Sequence, residues 1–198
     1  MTTIVVTKDN EMLSDSMMCS GDYIDSTNIE KIDNINGYLV GAAGRYSSCL
    51  AFKEWFYSLT ETVQAAEKHP MANIVTPEEV KDDNFTALVL DPEGTLWLYE
   101  TGHSAFEVDK PYAIGTGSIY ALSALDCDVD GETAMKVAIK RDVFSGGDIQ
   151  KITLDDFDDK SLTYEEAKEM SKEELMNAVF GEVISNEERD IESNEADN

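Results

Sequence analysis

The sequence predicts an α+β fold in which two β-sheets lie between two layers of helices. Short apolar segments bounded by turn signals indicate strands, and three other segments repeat apolar residues at helical spacing. Their order along the chain is strands, one helix, strands, two helices and a final strand. Because each apolar sheet face must be covered by another layer, this order favours helices on both outer faces. A chain of 198 residues can bury such a core by itself.

The first 44 residues predict short strands joined by tight turns. Ile4-Val5-Val6 begins an apolar strand, Asp9-Asn10 is a turn signal, and Met12-Leu13 begins the second strand. Asn36-Gly37 marks the end of a further strand, and residues 38–44 form a buried strand of small and apolar residues. These segments supply the first strands of the predicted sheets.

Residues 47–68 give the clearest helix in the sequence. Apolar residues recur there mostly at steps of three or four, and Pro70 closes the helix. A β-hairpin follows, then two more helices and one strand. These elements are predicted at 85–101, 118–125, 132–141 and 149–154.

The acidic C-terminal part is predicted to be separate from the main domain. Residues 155–198 carry 16 acidic and 4 basic residues. A capping-box pattern and a narrow apolar stripe predict a helix over 163–180, whereas the last 14 residues have almost no apolar side chains and are predicted to be disordered. The predicted parts are a domain at 2–154, an acidic helical extension at 155–184 and an acidic tail at 185–198.

The charge excludes several classes of partner. The chain has 41 acidic residues against 15 lysines and arginines, a net charge of −26. Such a chain repels phosphate backbones and anionic lipid surfaces, so we expect neither nucleic-acid nor membrane binding. No apolar run approaches the roughly 18–20 residues of a membrane-spanning helix, and the N-terminal residues do not match a secretory signal.

Cysteine and histidine usage favours a cytoplasmic protein without a metal or cofactor. The three cysteines, Cys19, Cys49 and Cys127, are an odd and sparse set that suits a reducing compartment. The two histidines, His69 and His103, do not stand in metal-ligand spacing with them. We therefore expect no zinc site and no histidine-based catalytic triad.

The first candidate for chemistry is the N terminus, where Thr2 follows Met1. Initiator methionine is normally removed before small residues, and its removal would leave Thr2 with a hydroxyl and a free α-amine. Because an α-amine titrates near ~7.7–8.0, it can act as a base toward the neighbouring hydroxyl. Many unrelated proteins begin Met-Thr, so this feature alone indicates little.

The second candidate is the pair Asp15 and Lys31. If the strand carrying Asp15 lies beside the strand carrying Lys31, the two side chains can form a buried ion pair. Burial near a second cation would lower the pKa of the lysine and suit it for proton transfer. The alternative, two exposed and unrelated charges, is favoured when the pair is taken alone.

The third candidate combines two glycine-containing segments, residues 115–118 and 141–147. Their glycines allow close backbone approach, and their Asp and Ser side chains offer hydrogen-bond acceptors for an amine. The alternative for 141–147 is a glycine turn that ends the preceding helix. Taken alone, the two interpretations are about equally supported.

Together and in this order, the segments resemble the proteasome β-type peptidases of the N-terminal nucleophile hydrolases. The Thr-Thr-Ile-Val start is most similar to HslV, the peptidase of a bacterial two-component protease, whereas Arg-Asp-x-x-Ser-Gly-Gly is more similar to proteasome β subunits. The resemblance spans residues 2–154 and implies a four-layer αββα sandwich, in agreement with the fold prediction above. The segments that carry it are 2–5, 14–16, 31, 41–44, 113–121 and 141–147.

The resemblance implies a threonine endopeptidase. The Thr2 hydroxyl would attack the scissile carbonyl, Lys31 would ease its deprotonation, and Asp15 would orient Lys31. The Gly44 N–H would face the developing oxyanion, and water would then hydrolyse the acyl-enzyme. The residues implied to hold the α-amine of Thr2 are Ser118, Asp142 and Ser145. If Met1 is retained, the amine is blocked and the site is inactive.

The resemblance also implies a pocket for the residue that precedes the cleaved bond. Its lining residues would be Met18, Ile29, Asp33, Ala42 and Tyr46. Three residues depart from the family pattern. Arg45 replaces a residue that is usually small near the oxyanion site, Tyr46 is bulky for a pocket wall, and an exposed Asp33 would favour basic substrate residues.

The resemblance implies that the substrate is unfolded polypeptide. It also implies a homo-oligomeric ring of six or seven chains, single or stacked, that encloses the cleavage sites. An ATP-dependent unfoldase is a further implied partner.

Two alternatives remain open. One is an inactive member of the family that acts as a scaffold, and the other is an acidic decoy that mimics DNA or covers a basic surface. The exposure of Thr2 as the N-terminal residue distinguishes an active peptidase from the inactive scaffold. Salt-sensitive capture by a basic partner, retained when Thr2 is mutated, would favour the decoy.

Overall fold

The computed structural model describes residues 2–64, 75–77, 80 and 84–156. Within these ranges the chain forms eleven strands, three helices and a final 3-10 turn at Leu154–Asp156. The helices are α1 (Tyr46–Gln64), α2 (Ser118–Leu125) and α3 (Gly131–Arg141). The strands are β1 (Thr3–Val6), β2 (Glu11–Asp15), β3 (Met18–Ser20), β4 (Tyr23–Ser26), β5 (Ile32–Ile35), β6 (Tyr38–Ala43), β7 (Thr86–Leu90), β8 (Leu96–Glu100), β9 (Phe106–Glu107), β10 (Tyr112–Gly115) and β11 (Ile149–Thr153).

The strands form one sheet of four, one of five and a separate hairpin. The four-stranded sheet has the order β10-β1-β2-β11, the five-stranded sheet has the order β5-β6-β7-β8-β9, and β3 pairs with β4. All neighbouring strands are antiparallel, as expected for strands joined by short turns. Asn10 (φ 61°) and Asn36 (φ 53°) adopt the left-handed backbone that such turns use.

Strand β1 is apolar throughout because both of its faces are buried. Side chains alternate along a strand, so Ile4 and Val6 point to one face and Val5 to the other. Ile4 and Val6 join a cluster with residues of the five-stranded sheet such as Leu39 and Leu88. Val5 instead packs with residues of α2 and α3. The start of β1 is therefore held from both sides.

Helix α1 covers the five-stranded sheet through aromatic side chains. Phe52 and Phe56 are fully buried and pack in one cluster with Tyr38 and Tyr99. The ring centroids of Phe52 and Tyr99 are 5.1 Å apart in an edge-on arrangement, and those of Tyr38 and Phe56 are 5.5 Å apart. This packing fixes the first turns of α1, which border the site described below.

Helices α2 and α3 pack on the four-stranded sheet. Ala121 from α2 and Met135 from α3 are fully buried in one cluster with Val5 and Leu13. Asp130 caps α3: its carboxylate accepts hydrogen bonds from the N–H of Thr133 at 2.8 Å and from its hydroxyl at 2.9 Å. These hydrogen bonds lower the pKa of Asp130.

The α+β prediction is confirmed, and most predicted elements occur. The helix predicted at 118–125 has those bounds, and the one predicted at 132–141 begins one residue earlier. Helix α1 begins at Tyr46 and is described as far as Gln64, so its predicted end at residue 68 lies outside the described residues. So do the helix predicted at 163–180 and the tail predicted at 185–198.

The hairpin β3–β4 and strands β9 and β10 were absent from the sequence prediction. Residues 23–25 of β4 are exposed, and both residues of β9 are exposed, so neither strand has the apolar alternation that marks a half-buried strand. Among the described helices, none is both long enough and apolar enough to cross a membrane.

Candidate active site

A cavity of about 260 Å³ lies where strand ends from the two large sheets meet the start of α1. Thr2 directly precedes β1, Lys31 directly precedes β5, and Gly44 directly follows β6; all three line the cavity. The antiparallel order of the sheets brings these ends together, although the residues lie far apart in sequence.

Neighbouring threonines at the start of β1 face opposite sides. Thr3 is fully buried; its N–H donates to Asp15 Oδ1 at 2.8 Å, and its Oγ1 lies 2.7 Å from Ser145 Oγ. Since successive side chains on a strand alternate, the anchoring of Thr3 leaves Thr2 directed into the cavity, where it is 6% exposed. The structure thus separates an anchoring threonine from a cavity-facing one.

The Asp15 carboxylate joins three parts of the chain and is fully buried. Its Oδ1 accepts from the N–H of Thr3 and from Lys31 Nζ, each at 2.8 Å. Its Oδ2 accepts from the N–H of Gly146 at 3.0 Å and from that of Met17 at 3.3 Å. Four donors on one carboxylate satisfy a buried charge and fix the start of β1 against Lys31.

Lys31 is 7% exposed and pairs with Asp15. Its Nζ also donates to the carbonyl oxygen of Met17 at 2.5 Å. Burial lowers the pKa of Lys31, and the negative charge of Asp15 opposes this shift. A lower pKa increases the neutral fraction of the amine at a given pH, which suits a group that exchanges protons with a nearby hydroxyl.

Gln150 on β11 holds the backbone at Lys31. Its Oε1 accepts from the N–H of Lys31 at 3.2 Å and from Ser14 Oγ at 3.0 Å, and Gln150 is the cross-strand partner of Ser14. One side-chain carbonyl therefore ties the segment before β5 to the strand that carries Asp15. The sequence contained no signal for this contact, because residues 31 and 150 are 119 positions apart.

Asp142 and Ser145 lie beside the start of β1. Asp142 Oδ2 accepts from Ser145 Oγ at 2.7 Å and from Thr116 Oγ1 at 2.6 Å, and Ser145 in turn contacts the hydroxyl of Thr3. Ser118 is the first residue of α2. Within the described ranges no hydrogen bond joins Ser118, Asp142 or Ser145 to the backbone nitrogen of Thr2. The observed contact with Thr3 was not part of the sequence prediction.

Gly117 leaves room for this network. A Cβ on Gly117 would lie 2.0 Å from Thr3 Oγ1 and 3.2 Å from both Asp142 Oδ2 and Ser145 Oγ. The backbone of Gly117 has φ −87°, which alanine adopts without strain, so only space is at issue.

We expect Gly117→Ala to destabilise the protein by about 1–3 kcal/mol, the usual range for overpacking a filled interior. The measurement is urea unfolding followed by circular dichroism. Ser118→Ala is the control, because Ser118 is the next residue and its truncation adds no atom. Equal stability of Gly117→Ala and the wild-type protein would contradict this description of the network.

Strand β6 ends in small residues where the cavity begins. Gly44 has φ 138°, and within the described ranges no hydrogen bond engages its N–H. The carbonyl of Arg45 accepts from the N–H groups of Ser48 and Cys49, each at 3.0 Å, and so begins α1. Arg45 and Tyr46 line the cavity and are exposed, so both lie on its solvent side. An N–H at Gly44 is free to donate to a group in the cavity.

Four of the five predicted pocket residues line the cavity: Met18, Ile29, Ala42 and Tyr46. Asp33 does not. Its carboxylate binds the ammonium group of Lys53 from α1, and it borders a neighbouring groove with Glu54 and Tyr57. Lys53 lines both the groove and the cavity and therefore lies between Asp33 and the cavity. Its ammonium group neutralises the charge of Asp33. The expected preference for basic substrate residues therefore has no basis in Asp33.

Several cavity residues escaped the sequence prediction. Cys49, Leu50 and Lys53 follow Tyr46 on α1 at steps of three and four residues, and this helical spacing was a usable signal. Met17, Cys19 and Ser20 were missed because the β3–β4 hairpin was not predicted. Among the described residues, no group of three or more His, Cys, Asp or Glu side chains is arranged to hold a metal ion.

Comparison with known proteins identifies the fold. Neither a protein-family model nor a curated protein sequence matches the chain. Many solved structures do, among them Thiobacillus denitrificans BPH, a bacterial proteasome homologue, in complex with epoxomicin, and the same protein without it. Each of these two structures shares 20% sequence identity with this chain, at a TM-score of 0.56. Each match covers 77% of this chain; it covers 97% of the neighbour with epoxomicin and 96% of the neighbour without it. The chain has a proteasome-like fold.

These neighbours support the proteasome-like fold in general and not HslV in particular. At this level of identity the likeness establishes the fold alone.

Proposed function

We propose that this protein is a threonine endopeptidase and that Thr2 becomes its nucleophile once the residue before it has been removed. The observation that carries the proposal is the buried pair of Lys31 and Asp15 at the cavity that Thr2 lines. Burying two charges is costly unless they are paired and hydrogen-bonded, and such buried pairs concentrate at functional clefts. Beside a hydroxyl, the same pair supplies proton transfer.

The proposed reaction uses groups already placed around the cavity. With Thr2 at the N terminus, one neutral amine, either that of Lys31 or the α-amine of Thr2, takes up the proton of the hydroxyl as Oγ attacks the peptide carbonyl. The N–H of Gly44 donates to the oxyanion that forms. The protonated amine then gives that proton to the leaving nitrogen as the C–N bond breaks, and water hydrolyses the ester on Thr2, which releases the acid and restores the hydroxyl. Asp142 and Ser145 support the site through Thr3.

The proposed architecture is the four-layer αββα sandwich. It is supported by three hydrophobic clusters: one between α1 and the five-stranded sheet, one between the two large sheets, and one between the four-stranded sheet and α2 with α3. We place the peptidase domain at 2–154 and retain the acidic extension at 155–184 and the tail at 185–198 as proposals. A cytoplasmic location is proposed on the cysteine usage described above.

Trapping of an acyl-enzyme tests the proposed function. The protein, with its N terminus verified by mass, is mixed with an excess of unstructured peptide ester and quenched in acid. We expect a mass increase equal to the acyl group, located on the peptide that begins with Thr2. Epoxomicin, which the Thiobacillus protein binds, is expected to bind this protein and to prevent the acylation. An acyl group on any other residue would contradict the assignment.

Gln150 is expected to position Lys31 for this reaction. Gln150→Leu removes the acceptor for the Lys31 N–H. We expect kcat to fall by about tenfold with little change in KM, because the Lys31 amine is displaced from the Thr2 hydroxyl while the substrate pocket is unchanged. Gln150→Glu keeps an acceptor oxygen and should restore most of the rate. Lys151→Met, on the same strand, is the control, since the Lys151 ammonium binds Glu11 instead. An unchanged kcat in Gln150→Leu would contradict this role.

The proposed assembly is a homo-oligomeric ring of six or seven chains, single or stacked, that encloses the active sites. Its proposed substrate is unfolded polypeptide, and an ATP-dependent unfoldase is a further proposed partner. At a net charge of −26 per chain, neighbouring chains repel one another at low ionic strength. This repulsion is screened as the Debye length falls to about 8–10 Å near physiological salt.

We therefore expect the oligomer to become more stable as salt rises to physiological levels. Deleting residues 185–198 removes six acidic residues and one arginine, so the shortened chain should assemble at lower salt. Light scattering against salt concentration measures both effects. A monomer under all conditions would exclude the ring and favour the inactive-scaffold alternative.

A further inference from the structure

Two of the three cysteines line the cavity that holds Thr2. Cys19 lies on β3 and Cys49 lies in the first turns of α1, and both are partly buried. Cys127 is exposed just after α2 and does not border the cavity. The chain therefore has two thiols at the candidate site and one elsewhere that serves as an internal reference.

The two thiols also lie close to Lys31. A negative charge on either Cys19 or Cys49 raises the pKa of Lys31, which requires both sulfur atoms to be within electrostatic reach of its amine. A group attached to either thiol would stand at the cavity that Lys31 and Thr2 also line. The cavity, at about 260 Å³, is close to the lower limit of small-molecule pockets, roughly 300 Å³, so a group of tripeptide size would fill it.

We propose that Cys19 and Cys49 form a thiol-modification site that closes the cavity to substrate, with low-molecular-weight disulfides such as glutathione disulfide as the modifying class. A thiolate attacks one sulfur of the disulfide, and a new protein S–S bond forms as the old one breaks. The other half leaves as a thiolate and takes up a proton. One protein thiol and one disulfide thus give one mixed disulfide and one free thiol, and no other oxidant is needed.

The consequence for activity depends on the proposed peptidase function. A mixed disulfide on either thiol occupies the space that the substrate residue before the cut would enter. Reduction by an excess of small thiol regenerates the open cavity by the reverse exchange. The site would therefore link peptide hydrolysis to the thiol–disulfide balance around the protein.

The test treats the wild-type protein and single Cys→Ser variants with glutathione disulfide. Peptide mapping by mass spectrometry follows each cysteine, and the peptidase rate is followed in parallel. We expect modification of Cys19 or Cys49 to track a loss of rate of about tenfold or more, with recovery in dithiothreitol. Each variant is compared with its own untreated rate. Cys127→Ser should behave as the wild-type protein does, and the double variant Cys19→Ser/Cys49→Ser should keep its own rate.

Methyl methanethiosulfonate, a much smaller reagent, distinguishes whether the two thiols can be reached from whether the attached group fills the cavity. It should modify the same two cysteines with a smaller loss of rate, because a methylthio group leaves most of the cavity open. Full modification of Cys19 and Cys49 by glutathione with an unchanged rate would overturn the proposal. So would the absence of modification at both under conditions in which Cys127 is fully modified.

Failure of the peptidase function would be recognised separately. If no form of the protein hydrolyses peptides, peptide mapping by mass spectrometry still shows whether Cys19 and Cys49 are modified. Thr2→Ala provides a second check, since the loss of the nucleophile leaves both thiols in place and their modification should be unchanged. Slower modification of these two cysteines in that variant would contradict the proposal.

Discussion

Replacing Thr2 by alanine is expected to abolish peptide hydrolysis and to leave the protein folded. Loss of a nucleophile that acts as one unit with its base lowers the rate on the order of 10⁴-fold or more. The fold should survive because Thr2 precedes β1 and the strand is anchored by the next residue, Thr3, through Asp15 and Ser145. Initial rates on an unstructured fluorogenic peptide, with circular dichroism in parallel, measure both parts.

Two further variants at Thr2 separate the hydroxyl from the shape of the side chain. Thr2→Val keeps the branched shape without the hydroxyl and should be as inactive as Thr2→Ala. Thr2→Ser keeps the hydroxyl and should retain part of the activity. If Thr2→Val hydrolysed the peptide at the wild-type rate, the nucleophile would have to be another group.

The second large effect is expected at Lys31 and Asp15. Lys31→Met keeps the length of the side chain and removes the amine, and Asp15→Asn keeps the shape and removes the charge. Each should lower kcat/KM by roughly two orders of magnitude or more, the usual scale for the loss of a proton-transfer partner. Because Asp15 acts through Lys31, the double variant should lose little more than either single one.

A neighbouring lysine is the matched control for this prediction. Lys53 lines the same cavity and also binds a carboxylate, that of Asp33, but this carboxylate does not line the cavity. Lys53→Met should therefore lower kcat/KM much less than Lys31→Met does. An equal loss of kcat/KM in Lys53→Met and Lys31→Met would contradict a specific role of Lys31 in proton transfer. Losses that simply multiply in the Asp15→Asn/Lys31→Met double variant would contradict a single coupled unit.

The pH profile distinguishes the charge of Asp15 from its structural contacts. The Asp15 carboxylate raises the pKa of Lys31 against the effect of burial. Removing that charge lowers the pKa of Lys31 further, so the acidic limb of kcat/KM should move to lower pH in Asp15→Asn. A variant that was merely less stable would lose rate without such a shift.

Much of the fold followed from local patterns. The helix at Ser118–Leu125 has apolar residues at helical spacing, and the turns at Asn10 and Asn36 carry residues that tolerate a positive φ. The hairpin β3–β4 was missed because its exposed residues, such as Tyr23 and Ile24, show no buried face. A strand held by backbone pairing alone leaves little trace in side-chain pattern.

The site was predictable where the spacing is characteristic and not where contacts join distant segments. Asp15 and Lys31 were paired through the family resemblance, in which their sixteen-residue interval is expected, and the structure places their charged groups 2.8 Å apart. The contact between Thr3 and Ser145 spans 142 positions and depends on the space beside Gly117. Asp33 was assigned to the cavity from the family resemblance, and nothing in the sequence indicated that Lys53, twenty positions later, would bind it.

The central claim is that the α-amine and hydroxyl of Thr2 act together at a free N terminus. Two forms of the protein, released from the same fusion partner, test it: one begins at Thr2 and the other carries a single alanine before Thr2. Both N termini are verified by mass before and after the assay. We predict peptide hydrolysis by the first form and none by the second while its alanine remains attached. Equal rates with the alanine intact would contradict the claim.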